Sequence, residues 1–428
     1  MNHLIKGILI FFMGFCLACS GLAQIEGIEY DDVIYDENIH AVKLHLAGLP
    51  LTQPIISMGT NAQLNLVFDD FQEDLRRIYY TVIHCDADWL PSELTTMEYI
   101  DGFDEEEVEQ YEFSGNTLTE FTNYQLVLPN QNFRWTKSGN YVLVVYENED
   151  EKVPLFTRRF MVVDPFVSIE PTIMRPANVQ KIQTHQELDF VVSFETLNVS
   201  DPKNEISASI LQNGRWDNAI MELSPQFIFN DRVVYDYQDV IAFPAGKEFR
   251  FIDLRTFRYK SEGVAAIEEF QDIYEITLIP EPARAYRPYL FMKDINGNFT
   301  LGNIDEAYNP MRSDYGLVFF SIEKDSPYAN ADVYLFGKFT DWKIQEKFKL
   351  GYSEKLQLYA VDVMLKQGYY NYYYAVVPKE TNEIDLDRLE GNSQETENEY
   401  TILVYYRPFG TRYDQLVGVS TVTSNFNR

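Results

Sequence analysis

Cysteine is nearly absent from this sequence. The chain has 3 cysteines in 428 residues, and two of them, Cys16 and Cys19, lie in the first twenty positions. If that N-terminal stretch is removed on export, only Cys85 remains and no intrachain disulfide can form. A disulfide framework is then excluded, and the fold has to be held together by the burial of apolar side chains.

Long apolar runs are also missing after the N-terminus. A basic residue at Lys6, an apolar run over 7–17 and small residues up to Ala23 are typical of a cleaved secretory signal. We expect a signal peptide at 1–23 with cleavage after Ala23, and a lipoprotein that begins at Cys19 is the alternative. No later stretch reaches the roughly 18 apolar residues of a membrane-spanning helix, so no transmembrane segment is expected after cleavage.

Basic residues are scarce relative to acidic ones. The chain has 35 Lys and Arg against 66 Asp and Glu, which gives a formal net charge of −31. A surface of this sign repels nucleic-acid phosphates and anionic lipid headgroups, so neither is expected as a partner. The acidic excess is typical of a surface that keeps an exported protein soluble.

The motifs of common enzyme classes are missing as well. The chain has no G-x-S-x-G, P-loop, H-E-x-x-H or G-x-G-x-x-G motif. The stretch TVIHCDADWLP, residues 81–91, contains a histidine, a cysteine and two aspartates. Strand alternation places His84 and Cys85 on opposite faces, so the imidazole cannot activate the thiol, and no further ligands at metal-binding spacing support a metal site. We expect no catalytic residue, no metal and no cofactor.

The sequence is rich in β-forming residues. It has 30 Phe and 30 Tyr, and short stretches alternate apolar with polar residues or run apolar over a strand length. This pattern predicts a mainly β protein of tandem immunoglobulin-like, early-set β-sandwich domains. We expect an N-terminal sandwich at 24–165, a second β domain at 166–312 and an early-set-like sandwich at 313–428. The pairs Asn213-Gly214 and Asn296-Gly297 each predict a hairpin with a type I′ turn.

A long insertion at 86–121 interrupts the first predicted domain. Connections of this length are usually functional or disordered, and the many aromatic residues here favour an ordered, packed excursion. Its acidic run is either a solvated face or the polar rim of a protein interface with aromatic anchors. The candidate interface residues are Trp89, Tyr99, Asp101, Phe103, Asp104, Glu105, Glu106 and Tyr111.

The last predicted domain contains GKFTDW followed by QGYYNYYYAVV. These strings resemble the early-set, glycogen-binding type of immunoglobulin-like module, whose first tryptophan, matched by Trp342, stacks on a sugar ring in members that bind sugar. The second stacking tryptophan of that module has no counterpart in this chain. Carbohydrate binding at Trp342 is therefore an alternative to packing of the same side chain in the core.

Several longer strings carry a broader resemblance. PIISMGTNAQLNLVFDD, YYTVIHCDADWLPSELTTMEYIDGF, LPNQNFRWTKSGNYVLVVYE and TRRFMVVDP resemble the N-terminal domain of the type 9 secretion system plug protein family of Bacteroidetes, and EGNSQETENEYTILVYYRP resembles the same family. The resemblance implies a non-enzymatic periplasmic protein that docks on the outer-membrane β-barrel translocon, its partner, and is peripheral to the membrane through it. It would close the periplasmic opening when no cargo is in transit. The rivals are a carbohydrate-binding exported protein and a periplasmic hydrolase.

Overall fold

Strands account for most of the regular structure, which confirms the prediction of a mainly β protein. The computed structural model describes residue 25 and residues 27–72, 74–148, 151–306 and 309–424, and every structural statement below refers to these residues. The predicted signal peptide at 1–23, with cleavage after Ala23 or lipidation at Cys19, lies outside them.

The first third of the chain forms twelve strands and one helical turn. They are β1 Val33–Ile34, β2 Ile39–Leu46, β3 Ile55–Ser57, β4 Leu64–Asp70, β5 Ile78–Cys85, α1 Thr96–Tyr99, β6 Ile100–Gly102, β7 Glu105–Glu107, β8 Gln110–Phe113, β9 Thr122–Leu128, β10 Phe133–Trp135, β11 Gly139–Glu147 and β12 Val153–Val163.

The middle of the chain continues in the same way. Its elements are β13 Ser168–Met174, β14 His185–Ser193, α2 Pro202–Glu205, β15 Ile206–Gln212, β16 Arg215–Leu223, β17 Phe227–Ile228, β18 Arg232–Tyr235, β19 Ala242–Pro244, β20 Arg250–Asp253, β21 Val264–Phe270, β22 Ile273–Leu278 and β23 Phe299–Leu301.

The last part adds longer strands and short 3₁₀ turns. The strands are β24 Tyr315–Glu323, β25 Ala331–Phe336, β26 Lys349–Ser353, β27 Leu358–Lys366, β28 Gly368–Pro378, β29 Glu399–Tyr406 and β30 Gln415–Thr423, and the turns are Ile304–Glu306, Pro310–Arg312, Lys338–Thr340 and Glu346–Phe348.

The first unit is a sandwich of two sheets. One sheet has the order β1-β12-β11-β5-β7 with β3 parallel to β12, and the other has the order β2-β4-β9-β8. Successive side chains of β4 point to opposite faces, so Leu64, Leu66 and Phe68 all point into the shared core, as expected for a strand with one face buried. All the strands of both sheets fall within the predicted range 24–165.

The central strand β11 is buried on both faces. Tyr141, Leu143 and Val145 point into the core of the first sandwich. Val142 and Val144 point the other way, into an apolar layer that also contains side chains from β15, β29 and β30. This explains why β11 reads as a continuous apolar run and not as an alternating one.

The later strands form two further units whose sheets cross the boundary predicted at residue 312. The second unit consists of the sheets β16-β15-β29-β30 and β13-β14-β18-β17, and the third unit consists of the sheet that runs from β20 to β21, with β23 paired to β28. The sheet β20-β28-β25-β26-β27-β24-β22-β21 joins strands from both sides of that position, since β22 pairs in parallel with β24. The last strands, β29 and β30, return to complete the sheet β16-β15-β29-β30, which packs on β13-β14-β18-β17. The division into 166–312 and 313–428 is corrected accordingly, because it separates strands that hydrogen-bond to each other.

Only one of the two Asn-Gly pairs forms the predicted hairpin. Asn213 and Gly214, with φ of 54° and 67°, connect β15 to β16 as predicted. Asn296 and Gly297 also have positive φ, at 52° and 75°, but no strand leads into them, since the preceding strand, β22, ends at Leu278. The prediction of a second hairpin was therefore wrong, because β23, which follows this turn, pairs with β28.

A buried ion pair connects the first unit to the third. The Lys366 ammonium lies 2.5 Å from Oδ2 of Asp69, and both side chains are almost fully buried. The Tyr315 hydroxyl donates to the same oxygen at 2.5 Å, and the Asn123 amide donates to Oδ1 at 2.7 Å. The carboxylate is thus satisfied by donors from both units, which fixes their relative position.

We expect Asp69→Asn to lower the free energy of unfolding by about 3–5 kcal/mol, because it leaves the Lys366 ammonium buried without a counter-charge. The measurement is urea-induced unfolding followed by tryptophan fluorescence. The matched control is Asp332→Asn, which removes half-exposed contacts to Lys349 and Lys379 and should cost no more than about 1 kcal/mol.

The double variant Asp69→Asn with Lys366→Met removes the uncompensated charge, keeps an amide oxygen that can accept from the Tyr315 hydroxyl, and should recover part of the loss. Equal effects of Asp69→Asn and Asp332→Asn would contradict this role for the buried pair.

Candidate docking surface of the first unit

The predicted insertion at 86–121 is not a loop but the closing edge of the first sandwich. β7 pairs with β5 at the end of one sheet, and β8 pairs with β9 at the end of the other. Between them, the Val108 N–H donates to the carbonyl of Ile78 at 2.8 Å, and the Val108 side chain enters the core. The excursion therefore closes one side of the sandwich by supplying the terminal strand of each sheet in turn.

Trp89 is buried, contrary to its predicted role as an interface anchor. Its side chain is 2% exposed, its ring meets that of Trp216 edge-on at 4.9 Å, and the Arg159 guanidinium lies 4.4 Å above it. Its φ of 67° is unusual for a residue other than glycine and follows from the tight turn closed by its N–H to the carbonyl of Asp86. Trp89 packs the first unit against the second.

Tyr99 is also buried, at 5% exposure, and its hydroxyl donates to the Val82 carbonyl at 3.2 Å. The remaining aromatic candidates lie at the surface, Phe103 with 62% of its side chain exposed and Tyr111 with 42%. Asp101, two positions before Phe103, is also exposed. The structure therefore separates the predicted set into internal supports and surface residues.

Most of the acidic run is tied to neighbouring strands. Glu105 lies 2.7 Å from the Lys152 ammonium and accepts from the Tyr146 hydroxyl at 2.7 Å, and although burial acts to raise its pKa, these two donors hold it below the ordinary value. Glu106 accepts from the Tyr80 hydroxyl at 2.9 Å. The backbone carbonyl of Asp104 accepts from the Thr81 hydroxyl.

Three exposed apolar residues of the excursion were not among the candidates. Leu90 is 60% exposed, Met97 84% and Phe113 62%. Met97 lies on the single-turn helix α1, whose start is capped by Glu98 accepting from the Thr95 N–H at 2.8 Å. One helical turn is too short for periodicity to distinguish its buried face from its exposed face, so this exposure had no sequence signal.

The His84 and Cys85 side chains lie on opposite faces of β5, as alternation predicts. His84 is 1% exposed, with Nδ1 2.8 Å from the Ser92 hydroxyl and Nε2 3.2 Å from the Ser138 carbonyl oxygen. Gly139 permits this approach, because a Cβ there would lie 2.6 Å from Nε2. Burial lowers the pKa of His84 to about 4 and raises the pKa of Cys85 to about 12, so neither group is primed for catalysis at neutral pH.

Asp86, the first aspartate after His84 and Cys85, binds the second unit. Asp86 accepts from the Asp414 N–H at 2.9 Å and lies 3.1 Å from the Arg407 guanidinium, while Asp414 accepts from the Ala87 N–H at 2.9 Å. In the described part of the chain, no group of three or more His, Cys, Asp or Glu side chains is arranged to hold a metal ion. The stretch 81–91 is a junction between units.

Trp342 belongs to a small apolar cluster with Phe249, Phe336 and Tyr373. It is 4% exposed, and the Arg215 guanidinium lies 5.2 Å from its ring centroid. Stacking on a sugar ring requires an open aromatic face, which this packing does not provide.

Two comparisons find similar proteins. The sequence model of the family described as type 9 secretion system plug protein 1st domain matches residues 39–164. The crystal structure of a hypothetical protein from Parabacteroides merdae ATCC 43184 superposes with a TM-score of 0.88 at 32% sequence identity, covering 93% of this chain and 100% of that chain. No curated protein matches the chain.

The fold defines a tandem β-sandwich protein whose first unit presents an aromatic and acidic edge. The chain belongs to the type 9 secretion system plug protein family. This family is a secretion-system family and not a known enzyme family, and membership indicates interaction with the secretion machinery and a location in the cell envelope. None of the helices in the described ranges has the length and apolar character needed to cross a bilayer.

We expect His84 to make the fold sensitive to acid. Its folded pKa of about 4 lies below the ordinary value of 6.5, so the unfolded chain binds more protons between these limits and stability falls as pH falls through that window. The full contribution is about 3 kcal/mol, at 1.36 kcal/mol per pKa unit. Unfolding of wild type and His84→Gln at pH 7 and pH 4 should show a smaller acid-induced loss in the variant.

The control is His185→Gln, which replaces a half-buried histidine on β14 and should change the acid-induced loss less. An NMR titration that places the wild-type His84 pKa near 6.5 would contradict the expectation.

Proposed function

We propose that this protein binds the outer-membrane β-barrel translocon of the type 9 secretion system and closes its periplasmic opening when no cargo is in transit. The observation that carries the proposal is the family match over 39–164, which falls on a complete sandwich with its own core. We propose further that the protein acts in the periplasm, at the inner face of the outer membrane, after removal of the signal peptide at Ala23.

The architecture supports a stopper that acts by shape. A barrel wide enough for folded cargo leaves an aqueous channel, which a rigid body can obstruct without chemistry. The units of this chain are joined by a shared apolar layer and by the buried pair Asp69 and Lys366, so a force on one unit is transmitted to the others. The net charge of −31 suits a body that remains soluble when it is released.

The excursion supplies the surface that we assign to the translocon. Leu90, Met97 and Phe103 are exposed, and Asp101, two positions before Phe103, is an exposed polar residue of the same segment. Exposed apolar anchors bordered by polar groups are typical of protein interfaces. Trp89 and Tyr99 are excluded from direct contact in this arrangement because both are buried.

We expect wild-type protein to co-purify with the translocon from detergent-solubilised outer membranes. The triple variant Leu90→Ser, Met97→Ser, Phe103→Ser should bind at least about tenfold more weakly, since interface anchors contribute on the order of 1–2 kcal/mol each. The substitutions are at exposed positions and should leave unfolding almost unchanged. Binding is measured by pull-down and by surface plasmon resonance on the purified translocon.

The matched control replaces three exposed apolar side chains of the third unit, Tyr259, Phe270 and Leu356, with serine. Absence of wild-type binding would overturn the proposed function. Undiminished binding of the triple variant, with binding by the wild type, would overturn only the assignment of the surface.

A further inference from the structure

β8 is an open edge of the first sandwich. It is the terminal strand of the sheet β2-β4-β9-β8, and all four of its residues are exposed. Within the described residues, no strand pairs with its outer side. A terminal strand of this kind presents unpaired backbone N–H and C=O groups that can accept another strand.

The register identifies the groups that point outward. The Ser114 N–H donates to the Phe121 carbonyl at 2.8 Å, so these two residues form a hydrogen-bonded pair. Every second pair along the β8–β9 register is of the same kind, namely Glu112 with Asn123 and Gln110 with Gln125. Because hydrogen-bonded and non-hydrogen-bonded pairs alternate in an antiparallel ladder, the N–H and C=O groups of the two intervening residues point away from β9. Those residues are Tyr111 and Phe113.

The side chains of the same two residues extend the apolar core to the rim. Tyr111 lies opposite Tyr124, a core residue, with ring centroids 6.0 Å apart, and Phe113 meets the Tyr111 ring edge-on at 5.9 Å. A strand added beside β8 would place alternate side chains against this rim. The residues opposite Tyr111 and Phe113 are therefore expected to be apolar.

The opposite face of β8 is acidic. Glu112 is exposed there, and Glu109 is exposed just before the strand. Antiparallel pairing of two copies about Glu112 would bring the two Glu112 carboxylates face to face, which disfavours a second copy of this chain as the occupant. Lysine or arginine opposite Glu112 would instead be favourable.

Two other edges of the sandwich, β7 and β2, are guarded. β7, the terminal strand of the partner sheet, is made of three glutamates, two of which are paired with Lys152 and Arg77. β2, at the far end of the β8 sheet, is covered by the third unit, since the Lys43 ammonium donates to Asn298 Oδ1 at 3.3 Å. Charge and coverage are the usual means of blocking strand addition. The four residues of β8 include one charged side chain, Glu112, which lies on the face opposite Tyr111 and Phe113.

The hairpin that presents β8 is also held rigidly. The Leu118 and Thr119 N–H groups donate to the Asp314 carboxylate at 2.6 and 3.1 Å, and the Gly115 N–H donates to the Met311 carbonyl at 3.0 Å. A preorganised edge loses little conformational entropy when it binds.

We propose that β8 is a strand-addition site that accepts an extended segment of the translocon with alternating apolar and basic side chains. The apolar residues would cover Tyr111 and Phe113, and a basic residue would lie opposite Glu112. The identity of the partner rests on the function proposed above, whereas the chemistry of the segment follows from the edge itself.

The test compares Tyr111→Pro and Phe113→Pro with Tyr111→Thr and Phe113→Thr. Proline removes only an outward N–H at these positions and is tolerated on an edge strand, whereas threonine keeps that N–H and favours the strand. Two readouts are used: binding to the purified translocon, and binding of a fluorescent peptide of alternating valine and lysine followed by polarisation at two salt concentrations. We expect each proline variant to bind at least about tenfold more weakly than the threonine variant at the same position, in both assays.

Equal binding of the proline and threonine variants in both assays would overturn the strand-addition site. Loss of peptide binding in the proline variants, with no translocon binding even by the wild type, would uphold the site and overturn the proposed function. A wild-type dimer in solution that the proline variants abolish would show that the occupant is a second copy, which contradicts the proposal.

Discussion

Burial of the first sheet on both faces is the constraint on which the rest of the structure depends. Its inner face forms the core of the first sandwich, and its outer face, with Cys85, Trp89, Val142 and Val144, packs on β15, β29 and β30. Without disulfides between the described units, this apolar layer provides the adhesion between the first two. The last two strands of the chain have to return to the second unit to complete it, which ties the C-terminal end of the chain to its beginning.

The excursion at 86–121 also contributes to more than one part of the structure. Its early residues, 86–89, hold the second unit, its middle residues form α1 and β6, and its last residues supply the two terminal strands of the sandwich. Structural support and surface display are therefore divided along one segment. The buried aromatic side chains position the exposed ones, so a long insertion in a small sandwich remains ordered.

Local patterns predicted local structure well and failed where distant partners decide. Alternation on β5 correctly separated His84 from Cys85, because the side-chain direction in a strand is a property of the backbone. The pair Asn213-Gly214 connects two strands of a hairpin, whereas Asn296-Gly297 adopts the same left-handed conformation without a strand leading into it. An Asn-Gly pair favours positive φ by itself, but whether the residues before the turn form a strand depends on whether another strand is available to pair with them.

The sequence by itself determined the mainly β architecture, the acidic surface, the family and the place where the excursion begins, because composition, alternation and long matching strings are read along the chain. Only the tertiary structure decided that Trp89, Tyr99 and Trp342 are internal, that β29 and β30 complete the second unit, and that β8 is left open. The physical reason is that burial and strand pairing are set by contacts between residues tens to hundreds of positions apart, such as Asp69 with Lys366. An aromatic residue gives the same signal in a sequence whether its ring packs on another unit or faces solvent.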